Sequence, residues 1–465
     1  MNWSIAGTDT ERLMFHHVHS CTVRDFGLAS PLAKLWSNYI LPLGYYSDSV
    51  KHAVVALGVA HRGFLENPSY DTPAPPVPSL AAEGLSFDDL ATKQYRRAVS
   101  EAIQIMAEPT PVNVRITLIC CLVFVCYEII RGQYDKAIQH LKAGSKVMES
   151  LHQAALAYRR DPLSLSPYDQ CLAETVNSHF GQLCEIASMF SCMGMDASML
   201  VEDAIVPDLS FFVQPEAAGK DKPITSVAEA RYQLHLAEVK FAEAYDDNFA
   251  STGSYESASS GSENSSPAQR QSNPAEQPRG PMWDEAVRQF ESWSARFDAF
   301  QETLPGVTSP EDSQELQALR FSKRSWEVFN SYAAPAAMKD ADKAELIEVI
   351  DMAEELVFPR DSAPRPTFAL GADIVPSMSY ICAFCEDDEM ELRIIALLRK
   401  MRRREGMWDS REMANLYDFI LQSKWNKTWK DEYNWESLPA LARRMADLSI
   451  SGRERSAAPS PLTLL

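Results

Sequence analysis

The chain has 465 residues, 46% hydrophobic and 23% charged, a balance that implies a globular protein with a sizeable core. Its 64 acidic side chains outnumber 44 basic ones, for a net charge of −20; such a surface repels phosphate backbones, so no direct DNA binding is expected from this chain. The longest uncharged apolar stretch, Ile116 to Tyr127, falls short of the roughly 20 residues of a membrane span.

Helical periodicity runs through almost the whole chain, with no alternating strand. After Ser30, read as an N-cap with Pro31 at the first helical position, Leu32, Leu35, Trp36 and Tyr39 form one stripe. A second helix, capped by Asp48, carries Val50, Val54, Leu57, His61 and Phe64 at the three- and four-residue steps of one helical face. Asn67 to Pro78 is proline-rich and reads as a loop; a third helix is expected from about Phe87 to Met106. Next come Val114, Leu118, Cys121, Leu122, Val125 and Ile129, apolar almost all round, which marks a buried helix. Gly132 breaks it, and Tyr134, Ile138, Leu141 and Met148 line the return helix. This pair looks like a tetratricopeptide-type hairpin, although no fixed period recurs. Further helices are expected at about 168–193 and 226–247.

Residues 249–282 are rich in Ser, Gly, Pro, Asn and Gln, a composition that cannot bury enough surface to offset its ordering entropy; they are read as a disordered insert. Folded structure resumes with the aromatic stripe Trp283, Phe290, Trp293, Phe297 and Phe300. Three more helices are expected at about 341–357, 388–402 and 410–424, before a frayed tail at 451–465. The fold class is all-α: an irregular helical array with tetratricopeptide-like hairpins and one long disordered insert. The domain reading is 1–248 and 283–450 as two halves of one helical domain.

Three segments carry a resemblance. The first is Ser49 to His61; the second runs from Leu118 through Cys120, Cys121, Phe124, Cys126 and Glu128 to Gly132–Ala137, His140, Leu141 and Gly144. The third joins Leu392–Leu398 to Arg403-Arg-Glu-Gly-Met-Trp-Asp-Ser410. Together they resemble the fungal-specific transcription factor domain, or middle homology region, of the Zn2Cys6 zinc-cluster regulators. The resemblance implies a helical regulatory domain in the nucleus that modulates a zinc-cluster DNA-binding module. It further implies protein partners (transcriptional machinery or zinc-cluster family members), a small-molecule effector and a homodimer. The DNA-binding module itself needs six thiolates in pairs such as Cys-x2-Cys-x6-Cys, a pattern the nine cysteines of this chain do not form. The chain is therefore expected to act without its own DNA-binding module, on a metabolic or secondary-metabolite gene cluster. Independently of any family, Gly406 would supply a permissive backbone or helix stop, Asp409 or Ser410 would cap the next helix, and Trp408 would pin the junction.

Several constellations were weighed for chemistry. Cys382 and Cys385 supply two thiols where structural zinc wants four ligands, and every histidine lies at or before His235; packed thiols are expected. The odd cysteine count and irregular spacing imply a reducing compartment. Met1–Asp9 lacks the basic start and apolar run of a signal peptide, so a soluble intracellular protein is expected. His16, His17 and His19 read as a partly ordered surface segment, and His61 as a satisfied core histidine. Glu386–Glu391 resembles the acidic box of terpene synthases; without a second box, its position before a helix makes dipole stabilisation the preferred role. The basic run Arg399–Arg404 reads as a solvated helix end, with nuclear import or anion docking as the alternative. Gly144-Ser-Lys has the wrong order for a phosphate loop, and Ser266-Pro267 offers a hydroxyl to kinases. No catalytic, cofactor-binding or metal-ligating residue is assigned. A non-enzymatic transcriptional regulator is the reading; an all-α metal-dependent enzyme on a hydrophobic metabolite and a stand-alone adaptor of full-length zinc-cluster factors are the alternatives.

Overall fold

The structure is a computed structural model. It describes residues 5–26, 35–66, 86–198, 209, 211–212, 222–253, 281–304, 309–331, 342–358, 366–371, 373–385 and 387–426. The loop at 67–78, most of the insert (254–280) and the tail at 451–465 lie outside the described residues.

Helix α1 (Asp9–His17) opens the chain. Thr8 Oγ1 accepts from the Glu11 amide at 3.2 Å and Glu11 Oε2 accepts from the Thr8 amide at 2.8 Å, a reciprocal cap that satisfies two otherwise orphaned donors. This corrects the reading of the histidine cluster as a loose surface segment: His16 and His19 are exposed, but His17 is buried on a capped helix. A π-helical turn, Val18–Thr22, follows; a second, Trp36–Ile40, replaces the regular helix expected there. Helix α2 (Asp48–Leu65) begins one residue beyond its cap position, Ser47, a shift within the usual uncertainty of helix ends.

Helices α3 (Phe87–Met106), α4 (Pro111–Ile130), α5 (Tyr134–Arg160) and α6 (Pro167–Ser198) complete the N-terminal core. Thr110 caps α4, accepting from the Asn113 amide, with Pro111 in the first turn. Buried residues occupy almost the whole of α4 from Leu118 to Ile130, as its all-round apolar sequence requires. By length and composition this helix could cross a membrane, but 89% of its apolar window is buried inside the fold, the position of a core helix. Gly132 (φ 68°) makes the turn into α5. The hairpin joins helices of 20 and 27 residues, together longer than a repeat unit of about 34 residues, and does not confirm the tetratricopeptide likeness. Helix α6 is kinked at His179 (φ −135°).

Helices α7 (Val227–Gly253), α8 (Pro281–Thr303) and α9 (Pro310–Asn330) build a second cluster. The aromatic stripe faces inward as expected: Phe290, Trp293, Phe297 and Phe300 are buried, and Trp293 Nε1 donates to Ala230 O at 2.9 Å. The α7 backbone extends to Gly253 and α8 starts at Pro281, so the edges of the expected insert at 249–282 are helical. A third cluster packs α10 (Lys343–Val357), α11 (Ile374–Phe384), α12 (Asp388–Met401) and α13 (Ser410–Trp425). Helices α9 and α11 have no counterpart in the sequence reading.

The absence of strands is also corrected. Strand β1 (Thr367–Ala369) pairs in parallel with β2 (Arg403–Glu405), which pairs antiparallel with β3 (Trp408–Asp409). Segments of two or three residues are too short to show alternation. Arg402 (φ 48°) ends α12 in the left-handed conformation, and Gly406 (φ 52°) turns β2 into β3. The other regular elements among the described residues are helical, so the chain is all-α with one small sheet there.

Candidate functional site

The second and third segments that carry the resemblance lie far apart in sequence, and they meet at Arg404. Its guanidinium is 6% exposed. Nη1 donates to the carbonyls of Ile129 (3.1 Å) and Ile130 (2.6 Å), the last residues of α4; Ile129 O also accepts from the Gly132 amide at 2.9 Å, so Arg404 adds a side-chain donor at a helix end where carbonyls lack intrahelical partners. Nε and Nη2 reach Asp409 Oδ2 at 2.9 and 2.7 Å, and Cζ stands 5.6 Å from the Phe64 ring at the end of α2. Tyr134, the first residue of α5, donates from its hydroxyl to Glu412 Oε2 at 3.1 Å. A planar fork with five donors is what this mixed set of acceptors needs, and a lysine could not serve all of them. The basic run is thus corrected: Arg404 is a buried tie from the third segment to the second, and to Phe64 just beyond the first. Arg399, by contrast, stays half-exposed and pairs with Asp418.

The neighbouring residue faces the other way. Glu405 is fully buried; its Oε2 accepts from the amides of Asp373 (3.0 Å) and Val375 (2.8 Å) at the start of α11, while Oε1 accepts from Arg403. Burial pushes the Glu405 carboxyl up, with Arg403 opposing, yet all three contacts are donors to an ionised carboxylate. Asp373 in turn pairs with Arg231 at 3.2 Å, and Arg231 with Glu315 at 2.5 Å, so α7, α9 and the head of α11 meet at one guanidinium. Burial raises Glu238, beside this group, to about 7, with Asp373 adding to the shift and Arg231 opposing it. Asp409 caps α13 as expected, its Oδ1 accepting from the amides of Arg411 (2.9 Å) and Glu412 (3.1 Å). Ser410 Oγ accepts from the Arg403 amide at 3.0 Å, and Trp408 is buried.

Two polar seams run through the N-terminal core. In the first, Gln94 Nε2 donates to Glu11 Oε1 at 2.8 Å and Gln94 Oε1 lies 2.6 Å from His52 Nδ1. A carboxylate can only accept, so the Gln94 amide orientation is set and His52 carries its proton on Nδ1. Further along, His61 Nδ1 lies 3.0 Å from His17 Nε2 and 3.1 Å from Thr22 Oγ1, while its Nε2 is 3.3 Å from Asp25 Oδ2. His61 is therefore a core histidine as expected, satisfied at Nδ1, while its buried Nε2 approaches Asp25 without making a hydrogen bond. Burial, helped by His61, lowers His17 to about 3. Between the seams a Cβ on Gly58 would stand 2.4 Å from Met14 O, so only glycine lets α1 and α2 approach this closely. In the second family segment, the buried Glu128 and the half-buried His140 are polar partners of Tyr95, whose hydroxyl lies 2.7 Å from His140 Nε2 and bonds the Glu128 carboxylate. Burial lowers His140 to about 4 and raises Glu128.

The acidic box is committed to packing. Asp387 caps α12, accepting from the Glu389 and Met390 amides at 3.0 and 3.1 Å, and pairs with Lys343. Asp388 accepts from Trp425 Nε1 at 2.7 Å, and Glu391 pairs with Lys424 at 3.0 Å. Glu386 lies outside the described residues. Cys382 and Cys385 are buried, and burial pushes both thiols up, which makes poor nucleophiles and poor metal ligands. Among the described residues no group of three or more His, Cys, Asp or Glu is placed to hold a metal. Ser266-Pro267 lies outside the described residues.

Residues 12–195 match the family model "Fungal specific transcription factor domain"; the match starts ahead of the first segment, Ser49 to His61, and does not reach the third. Over 211 residues the chain is 26% identical to the aspercryptin biosynthesis cluster-specific transcription regulator atnN of Emericella nidulans, covering 45% of this chain and 29% of that protein. The aligned region is thus less than a third of the relative's length. No solved structure matches the chain. The matched stretch spans α1 to α6, the core that Arg404 grips from the C-terminal side, and residues 12–195 of this chain are similar to a fungal specific transcription factor domain.

Proposed function

We propose that this chain is the regulatory part of a fungal transcriptional regulator of the zinc-cluster family, a helical scaffold that acts in the nucleus through protein partners. The family match over residues 12–195 carries this reading. The two halves would work as one unit, an interpretation supported by the Arg404 bonds to α4 and by Phe368, Leu370 and Met407 packing into the N-terminal cluster. Control of a metabolic gene cluster is supported by the relative's printed role, and a small effector would act by shifting the fit between the halves. The surplus of acid makes contact with DNA through this chain unfavourable, so transcriptional machinery or zinc-cluster family members are the partners proposed. Tethering the chain to a foreign DNA-binding module tests the reading. Reporter output should change, and an Arg404→Gln variant expressed at equal level should lose the change. Unaltered output in every growth condition, with the fusion intact and nuclear, would count against a regulatory role.

A further inference from the structure

Independently of the regulatory reading, and away from the contact between the halves, α4 carries an arginine whose charge no carboxylate among the described residues answers. Arg115 Nε donates to Pro111 O at 3.3 Å; Nη1 donates to His179 Nδ1 at 3.3 Å and to Gln182 Oε1 at 2.7 Å. All three acceptors are neutral. Other half-buried arginines of this acid-rich chain find carboxylates: Arg231 pairs with Glu315 and Asp373, and Arg393 with Asp351 and Glu354. The difference shows in proton affinity. Burial lowers Arg115 with no carboxylate opposing it, whereas at Arg231 burial is outweighed by Asp373 and Glu315.

The guanidinium can only donate, and that fixes its neighbours. His179 Nδ1 must accept, so the neutral ring holds its proton on Nε2; burial, with Arg115 beside it, lowers His179 and keeps the ring neutral at pH 7. Gln182 Oε1 must accept as well, which leaves the Gln182 amide nitrogen with two protons to give. Arg115 Nη2 keeps two more, with no acceptor among the described residues. Three adjoining side chains thus offer spare donors and no spare acceptor. Their frame is set by the fold: α6 bends at His179, Gln182 follows three residues later and is only 6% exposed, and both meet the first turns of α4. The bend opens to solvent, since Gly181 is exposed and a Cβ there would meet no atom within 4 Å. A compact anion that only accepts hydrogen bonds is the chemical complement of such a cluster.

We propose that Arg115, His179 and Gln182 form an oxyanion-binding site in the bend of α6, which takes the carboxylate or phosphate group of a small molecule. The test titrates the full chain with sodium phosphate or sodium acetate, against sodium chloride at equal ionic strength. Binding is read from the His179 ring resonances, assigned with a His179→Gln variant. Wild type should show a saturating shift at about 1–10 mM phosphate or acetate and none with chloride. The anion effective at the lower concentration tells a phosphate-bearing from a carboxylate-bearing ligand. Arg115→Gln should weaken binding by about tenfold. Gln182→Glu sets a carboxylate beside Arg115 and should abolish the shift without lowering the melting temperature, which separates a filled site from a damaged fold. A wild-type response no greater than that to chloride, or one that survives both Arg115→Gln and Gln182→Glu, would overturn the proposal and leave the reporter test of the regulatory reading untouched.

Discussion

Helix α4 and the Arg404 junction touch at Ile129 and Ile130 but are held by different forces. The helix is an apolar rod whose residues from Leu118 to Ile130 are nearly all withdrawn from water, and its contribution scales with area and shape. The junction withdraws Arg404, Glu405 and Asp409 instead, groups that stabilise only while each has its full set of partners. Apolar burial therefore makes the core, whereas buried charge decides which surface of the C-terminal part meets it. An apolar contact tolerates small slips; a guanidinium shared among two carbonyls and a carboxylate has one satisfactory position.

The largest expected effect follows from that contrast. Arg404→Gln removes the guanidinium from Asp409 Oδ2 and from the end of α4, leaving a buried carboxylate without its counter-charge, and should cost about 3–5 kcal/mol in urea unfolding. Asp409→Asn should cost a similar amount, and the double variant far less than the sum, because one unpaired charge replaces another's loss. Additive losses would mean that the pair is not a unit. Next, Leu122→Ala, fully buried in α4, should cost about 2–5 kcal/mol through the cavity it leaves, and that loss should not change with salt. A loss below about 1 kcal/mol would show that α4 is not the packed centre.

A smaller effect is expected from pH. The His17 and His140 values in the fold, about 3 and about 4, lie below the usual 6.5 or so. The unfolded chain therefore takes up protons first, and stability present above about pH 6.5 should fall as pH drops towards these lower values. Raised carboxyls such as Glu128 act in the opposite sense, losing their contribution as pH rises. Comparing wild type with His140→Phe isolates the histidine part; equal slopes between pH 7 and 5 would contradict it. The smallest effect concerns the acidic box: Asp387→Ala should cost about 1 kcal/mol as a lost helix cap. Magnesium should leave the melting temperature of the wild type unchanged. Magnesium-dependent stabilisation abolished by Asp387→Ala would revive the metal-site reading.

The same contrast governs what could be read from sequence. The apolar side is visible because it repeats: the stripes of α2 and α4, the aromatic stripe of α8 and the ends of α3, α10, α12 and α13 follow from three- and four-residue spacing and from caps such as Asp409. Charged burial does not repeat. Nothing in Arg399–Arg404 distinguishes the one arginine that is buried, since its acceptors at Ile129 and Ile130 belong to a helix more than two hundred residues earlier. Strands β1 to β3 are too short for a period. Helix α9 was legible after the fact, from Ser309 as a cap with Pro310 behind it and from Leu316 and Leu319 on one face. The seam histidines show the same limit: His61 could be placed in the core, but its partners His17, Thr22 and Asp25 come from another element.

The most direct test of the central claim, that Arg404 locks the C-terminal part onto the N-terminal helical core, is native-state hydrogen exchange on wild type and Arg404→Gln. Amides at the end of α4, at Asp373–Val375 and at the start of α13 should lose protection together, by a common factor, while α8 keeps its own. Loss confined to residues next to position 404, with the end of α4 unchanged, would contradict the claim.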